Sequence, residues 1–346
     1  MIDSRIMGSR LLALSTLAIV LAAGGGTARA QSFYEGKTVR VIVGFAPGGG
    51  FDTYARVIAR HMGRHIPGNP TMIVENMTGA GSLISANHLY RVAKPDGLTI
   101  GHFNGALFLG QALGQPGIEF DARKFELIGA PMGEDAVCAV TRASGVTSVE
   151  QWMASKTPIK LGGVAPGGTP DANARILKAA LGLPIQLVSG YKGTAEIRLA
   201  ASSGEVAGAC WSWESMRSTW RSALDSGEVV AVLQTSAKPF PDLARVPLAI
   251  NLAKTQEARQ LIKVGIQNAA AFARPLALPP GTPKDRVLSL RKAFQDTLKD
   301  PAFLAETEKA KLTLDPSTAE ELEKMVAEAF ALEPALLAKL KDILYK

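Results

Sequence analysis

Hydrophobic periodicity divides the chain into recognisable elements from residue 39 onward. Val39-Arg40-Val41-Ile42-Val43 is an apolar run of strand length. It breaks at Pro47 and turns through Gly48-Gly49-Gly50. From Asp52, apolar residues recur at Tyr54, Val57, Ile58 and Met62, the spacing of one helix face. Residues 71–76 read as a second strand, Gly79-Ala80-Gly81-Ser82 as a second glycine turn, and residues 83–92 as a second helix. Lys94-Pro95-Asp96-Gly97 is a turn signal, and Leu98-Thr99-Ile100 is a strand running into His102-Phe103-Asn104-Gly105. The syntax is βαβαβ, with a glycine or polar loop after each strand. Ligands of open α/β sheets bind at that end of the strands.

The opening syntax recurs in the second half. Ile159-Lys160-Leu161 predicts a strand, Gly162-Gly163-Val164-Ala165-Pro166-Gly167-Gly168-Thr169 a glycine loop, and residues 170–181 a helix with Pro170 in its first turn. Between the two units, strands are expected at 127–131 and 136–141, and a helix at 149–154. Further strands are expected at 185–188, 206–211 and 229–234. Residues after 284 read as helices, with Thr318 and Glu321 spaced as a capping box. Two glycine loops of one construction, far apart in sequence, predict two domains facing each other across a cleft.

Each loop is built to hold an anion. Glycines let the backbone approach a ligand closely, and the first helical turn directs unpaired N–H groups and the positive end of its dipole at the guest. Charge-assisted hydrogen bonds contribute about 1.5–3 kcal/mol each, and micromolar affinity needs about −8 kcal/mol, so such loops suffice without an arginine clamp. Asp52 fits a capping or loop-orienting role, because its charge would repel an anion. No Walker A motif, Gly-x-Ser-x-Gly elbow or Cys/His metal spacing is present. Thr53 stands where a Gly-x-Gly-x-x-Gly fingerprint needs its last glycine, which disfavours dinucleotides.

The N-terminus reads as a leader. Arg5 and Arg10 precede an apolar stretch over 11–23, and Ala28-Arg29-Ala30 is a small-x-small site, so cleavage is expected after Ala30. No later apolar stretch reaches the length of a membrane span. The net charge of +7 is scattered, with no basic block of nucleic-acid type. Cys138 and Cys210 lie in strand-like runs; an exported chain can pair them, and two small buried apolar residues are the alternative. His61 and His65 sit four apart on a helix without the glutamate or third ligand of a zinc site, and read as solvated residues. His102 lies at a strand end near the expected cleft, with ligand contact and a structural role both open. Trp211 and Trp213, two apart in a strand-like run, are expected on one face, lining the cleft or packing the core.

Several of these motifs resemble a family signature: Phe45-Ala46-Pro47-Gly48-Gly49-Gly50-Phe51-Asp52, Glu75-Asn76-Met77-Thr78-Gly79-Ala80-Gly81, Lys94-Pro95-Asp96-Gly97, Gly190-Tyr191-Lys192-Gly193 and Gly281-Thr282-Pro283. In this order they are similar to extracytoplasmic solute-binding proteins of the tripartite tricarboxylate transporter, the TctC or Bug family. The resemblance covers essentially the whole chain after the leader. It implies a two-lobed α/β periplasmic-binding-protein (Venus flytrap, type II) fold, each lobe a mixed sheet flanked by helices. The lobes are expected at 31–133 with 246–346, and at 134–245, after a leader at 1–30.

The resemblance also implies a periplasmic monomer that captures a small carboxylate and passes it to integral-membrane transporter subunits, with no cofactor, catalysis or nucleic acid. First-lobe contacts are expected at Gly49, Gly50, Phe51 and Asp52, at Gly79, Ala80, Gly81 and Ser82, and at Asn104 and Gly105. Second-lobe contacts are expected at Ala165, Gly167, Gly168 and Thr169, and at Tyr191, Lys192 and Gly193, with Lys192 either the cation of the site or a solvated surface lysine. The second glycine loop departs from the family's serine-rich form, and Ala207 replaces a common acidic residue, which leaves the ligand's identity open. A ligand sensor for a membrane receptor and an exported hydrolase are the alternative readings.

Overall fold

The structure is a computed structural model, which describes residues 32–133, 135–272 and 274–346. The leader and its cleavage site lie outside the described residues. Among the described residues, no helix is long and apolar enough to cross a membrane.

Two sheets form, one in each lobe. The first has strand order β11-β4-β10-β3-β1-β2. Its strands are β1 (Thr38–Val43), β2 (Thr71–Asn76), β3 (Thr99–His102), β4 (Glu126–Ala130), β10 (Leu276–Leu278) and β11 (Ser317–Thr318). β1 lies parallel between β2 and β3, as the βαβαβ pattern predicts. β10 then enters antiparallel between β3 and β4, so the sheet is mixed. Three residues of β10 carry no legible period, and the sequence gives no sign of this strand.

The second sheet has order β7-β6-β8-β5-β9. Its strands are β5 (Ala136–Thr141), β6 (Ile159–Gly162), β7 (Ile185–Val188), β8 (Gly208–Ser212) and β9 (Val229–Gln234). β5 is wholly buried between antiparallel β8 and β9, which matches its continuous apolar run. Helices Gly50–Met62 and Lys284–Thr297 pack with the first sheet, and Thr169–Leu181 and Thr194–Ser202 with the second.

The chain passes from the first sheet to the second between β4 and β5 and returns between β9 and β10. The returning segment contains helix Gln256–Ile262 and a π-helical turn, Lys263–Asn268, both packed on Thr169–Leu181. The C-terminal helix Pro334–Tyr345 packs on the same second-lobe helix. Thr318 caps Ala319–Phe330, its hydroxyl accepting from Glu321 N while the Glu321 carboxylate accepts from Thr318 N.

Cys138 and Cys210 are opposed in the β5–β8 register and form a disulfide. The pairing supersedes the reading of two merely buried thiols, because a cross-strand register brings them face to face. They close a sequence separation of 72 residues. A bridge of this kind stabilises by roughly 2–5 kcal/mol, chiefly by restricting the unfolded chain. The double variant Cys138→Ala/Cys210→Ala should therefore lose stability by that amount in urea unfolding, and an unchanged midpoint would show that the bridge does not form.

Candidate functional site

The first glycine loop is rigid because a buried carboxylate holds it. Gly48 adopts φ +78°, a left-handed conformation that leads into Gly49 and the first turn of Gly50–Met62. Asp52, in that first turn, accepts from Gly48 N at 3.0 Å, Arg56 Nε at 3.0 Å and Asn76 Nδ2 at 2.9 Å. Asn76 Nδ2 also donates to Phe45 O at 2.8 Å, tying β2 to the loop. Burial pushes the Asp52 carboxyl up, but the bonds from Arg56, Gly48 and Asn76 outweigh it and hold the group below the usual carboxylate range. The side chain orients the loop, as its charge led one to expect.

The second loop repeats the device. Ala46-Pro47-Gly48-Gly49-Gly50-Phe51-Asp52 and Ala165-Pro166-Gly167-Gly168-Thr169-Pro170-Asp171 share Ala-Pro-Gly-Gly-x-x-Asp. Gly167 has φ +83°. Asp171, wholly buried, accepts from Val164 N at 2.5 Å, Ala165 N at 3.1 Å and the Ser189 hydroxyl. Here burial dominates and pushes the carboxyl up, against the opposing bonds from Ser189, Val164 and Ala165 and the Arg175 charge. The sequence reading noted the two loops and overlooked Asp171, although the repeated heptapeptide marks it.

The loops meet across a narrow cleft of ≈ 20 Å³. A water molecule needs about 10–15 Å³ of such space, so the lobes are nearly shut on each other. Phe45, Gly49, Gly50 and Phe51 line it from the first lobe, and Val164, Thr169, Pro170, Thr194, Trp211 and Ser215 from the second. Arg274 lines it from the returning segment. A larger groove of ≈ 660 Å³ lies elsewhere, among Trp213, Arg217, Arg221, Asp225 and Asp242. It is open, and its arginines pair with its aspartates, Arg217 with Asp242 at 3.2 Å and Arg221 with Asp225 at 3.3 Å. The inter-lobe cleft, where both glycine loops converge, is the stronger site.

Residues 54–341 match the family described as "Tripartite tricarboxylate transporter family receptor" (TctC). The chain belongs to the TctC receptor family. A UPF0065 protein of Agrobacterium vitis is 28% identical over 309 residues, 86% of this chain and 81% of that protein. Periplasmic binding protein BugD superposes with a TM-score of 0.71 at 24% identity, over 90% of this chain and 98% of that one. An R. palustris protein with adipate gives a TM-score of 0.72 at 21% identity, over 89% and 98%. These structures share the two-lobed fold.

The other contacts expected in this TctC receptor fall into distinct groups. Ala80, Gly81 and Ser82 all have positive φ, at 47°, 63° and 74°. The strained turn is held by the Ser82 hydroxyl, which accepts from Asn104 N at 2.9 Å, and by Ser85 Oγ, which donates to Ser82 O. A Cβ on Gly81 would sit 3.5 Å from Ala165 Cβ, so this turn abuts the second loop beside the cleft. Gly79 at φ +133° starts the turn. Asn104 Nδ2 donates to Gly167 O at 3.4 Å, and Gln115 Nε2 to Pro166 O at 3.2 Å. A Cβ on Gly105 would lie 1.9 Å from Phe272 O, so Gly105 serves the close packing of the returning segment. Gly168 caps helix Thr169–Leu181.

The Gly190–Gly193 turn meets the first lobe through backbone. Ala46 N donates to Lys192 O at 3.2 Å, and Gly193 packs on Ala46. The Lys192 side chain is exposed, and Tyr191 OH donates to Glu205 at 2.6 Å away from the cleft. The cation at the cleft is instead Arg274, a residue the sequence reading passed over. It is 1% exposed, and its guanidinium lies 4.6 Å from the Phe51 ring centre and 5.1 Å from that of Tyr54. Its only sequence signal is an arginine before Pro275 in an apolar stretch.

Trp211 and Trp213 do not share a face, contrary to expectation. β8 ends at Ser212 and Trp213 starts a helix, which breaks the alternation. Trp211 lines the cleft and stacks on Trp220 at 5.2 Å, whereas Trp213 Nε1 donates to Asp242 at 3.0 Å. His61 is buried and His65 only partly exposed: their Nε2 atoms bond Glu306 at 2.6 Å and Asp300 at 2.8 Å, tying the Gly50–Met62 helix and the turn after it to Asp300 and the helix Pro301–Lys309.

His102 is wholly buried behind the cleft, 5.1 Å from the Phe51 ring, with Nδ1 3.1 Å from Pro275 O. Burial, then the Arg274 charge, lower its pKa to about 3. The folded protein therefore keeps this imidazole neutral while the unfolded chain protonates it below pH ~6.5. Stability from this group is complete above that value and is lost as pH falls toward 3. Between pH 7 and pH 5 the loss is about 2 kcal/mol. His102→Asn should flatten the pH dependence of urea stability by about that amount; identical slopes in the two proteins would refute the assignment.

Proposed function

We propose that this receptor captures a small carboxylate between its lobes in the periplasm, as a monomer without chemical turnover, and presents it to the membrane subunits of a tripartite tricarboxylate transporter. The observation that carries this reading is the convergence of two braced glycine loops and the Arg274 guanidinium on one inter-lobe cleft. Both loops begin helices, whose first turns favour anions. One structural relative holds adipate, a carboxylate. The disulfide fits an oxidising compartment, in keeping with export and cleavage after Ala30. We assign the lobes to 31–133 with 246–346, and to 134–245, with helices Gln256–Ile262 and Pro334–Tyr345 reaching across to Thr169–Leu181.

Gly50 gives the test. A Cβ there would lie 2.4 Å from Ser215 Oγ and 3.1 Å from Arg274 Nη1. Gly49 is roomier, its nearest neighbour being Thr194 Oγ1 at 3.1 Å. A thermal-shift screen of mono-, di- and tricarboxylates should reveal ligand-dependent stabilisation, about 2.7 kcal/mol at a hundredfold excess over Kd. Gly50→Val should weaken the best ligand at least tenfold, about 1.4 kcal/mol, and more than Gly49→Val, with little change in the unliganded melting temperature. Undiminished affinity in Gly50→Val would remove the first loop from the site, and catalytic conversion of the bound acid would overturn the reading.

A further inference from the structure

We infer that the carboxylate taken by this cleft is a monocarboxylate with a flat apolar body, its oxygens received by Trp211 Nε1 and Ser215 Oγ. The inference rests on the carboxylate reading above and names its ligand class.

Two polar atoms of the cleft lack partners. Trp211 and Ser215 line it, each is 1% exposed, and neither Trp211 Nε1 nor Ser215 Oγ has a hydrogen-bond partner among the described residues. Buried polar groups are seldom left so, and an indole N–H can only donate. Neither side chain is free to turn to water. Trp211 sits opposite Val137 in the β5–β8 register and stacks on Trp220. Ser215 is fixed in the first turn of Trp213–Thr219, its N–H bonded to Ser212 Oγ at 3.3 Å. Its hydroxyl faces Gly50, so an oxygen at the N-terminus of Gly50–Met62 lies within its reach. The two donors come from the second lobe and the helix from the first, so an acceptor oxygen bridges the lobes.

The one charged side chain of the wall among the described residues, Arg274, has Nη1 beside Ser215 Oγ at Gly50, so the lining offers a single charged pole, with Thr169 and Thr194 its other polar side chains. Phe45 and Phe51, with ring centres 4.5 Å apart, face Val164 and Pro170. The loop N–H groups of Val164 and Ala165 already serve Asp171, and that of Gly48 serves Asp52. A second carboxylate would therefore meet rings, methyl groups and neutral threonines with no second cation, which is costly. An aryl body, which needs the lobes to part further than the ≈ 20 Å³ seen here, matches the faces of Trp211, Phe45 and Phe51.

Titration calorimetry with benzoate, phenylacetate, adipate and citrate tests this on the wild type, Trp211→Phe and Ser215→Ala. The aryl monocarboxylates should bind at least tenfold more tightly than adipate or citrate. Trp211→Phe keeps an aromatic face and deletes the N–H; Ser215→Ala deletes the hydroxyl. Each should weaken benzoate roughly tenfold with an unchanged circular dichroism spectrum. Tighter binding of adipate or citrate, or benzoate affinity unchanged in both variants, overturns this inference and leaves the carboxylate reading standing. Failure of every carboxylate to bind removes both.

Discussion

The site depends on a carboxylate turned inward at the start of a helix. Asp52 and Asp171 each occupy the same place after Ala-Pro-Gly-Gly, and each takes backbone N–H groups of its own loop. A glycine-rich loop loses much conformational freedom on folding, and its exposed N–H groups are costly if buried unmet. The aspartates solve both problems and leave the loop in one shape. They do so in different electrostatic settings. Bonds from Arg56, Gly48 and Asn76 outweigh burial and hold Asp52 below the ordinary range, whereas burial pushes Asp171 up. The first loop is thus braced by a firmly ionised group, the second by a carboxyl whose charge is opposed by its surroundings.

Around this pair, packing and covalent structure set the remaining groups. The Cys138–Cys210 bridge lies one residue before Trp211, so it anchors the strand that delivers Trp211 and, through Ser212, the helix bearing Ser215. Arg274 lies against the Phe51 and Tyr54 rings at the point where the chain returns to the first lobe. Its charge also bears on His102 and opposes the burial that raises the Glu214 carboxyl. One cation therefore disfavours protonation of both groups, and the neutral imidazole adds no competing charge.

Local patterning made the first lobe's βαβαβ unit, both glycine loops and the Thr318 capping box legible, because each is specified within a few residues. The strand β5, buried on both faces, was legible as an apolar run. What escaped was set by long-range topology. His61 and Glu306 are 245 residues apart, so a helix read by itself left the histidine to solvent. Arg274 reaches the first loop only because β10 inserts between β3 and β4, and β10 is too short to carry a period. The cysteine pairing needed the β5–β8 register, which composition cannot supply. Trp213 was misplaced for a local reason: the strand stops at Ser212, whose hydroxyl caps the next helix, one residue before alternation would have turned the ring into the cleft.

The hydrogen bonds that join the loops of the two lobes beside the cleft are long. Ala46 to Lys192 O, Arg198 to Gly48 O, Asn104 to Gly167 O and Gln115 to Pro166 O span 3.2, 3.2, 3.4 and 3.2 Å. Net contributions of such bonds are about 0.5–1.5 kcal/mol each at better geometry. Set against the ordering of the loops and of the Arg198 side chain, these bonds by themselves hold the loops together only weakly. A ligand shifts closure only by its differential affinity for the closed form. Ser215 supplies that difference, since its hydroxyl belongs to the second lobe and meets Gly50 of the first only when the lobes are together. The same van der Waals limit that makes Gly50 necessary thus makes closure the step at which a ligand is read.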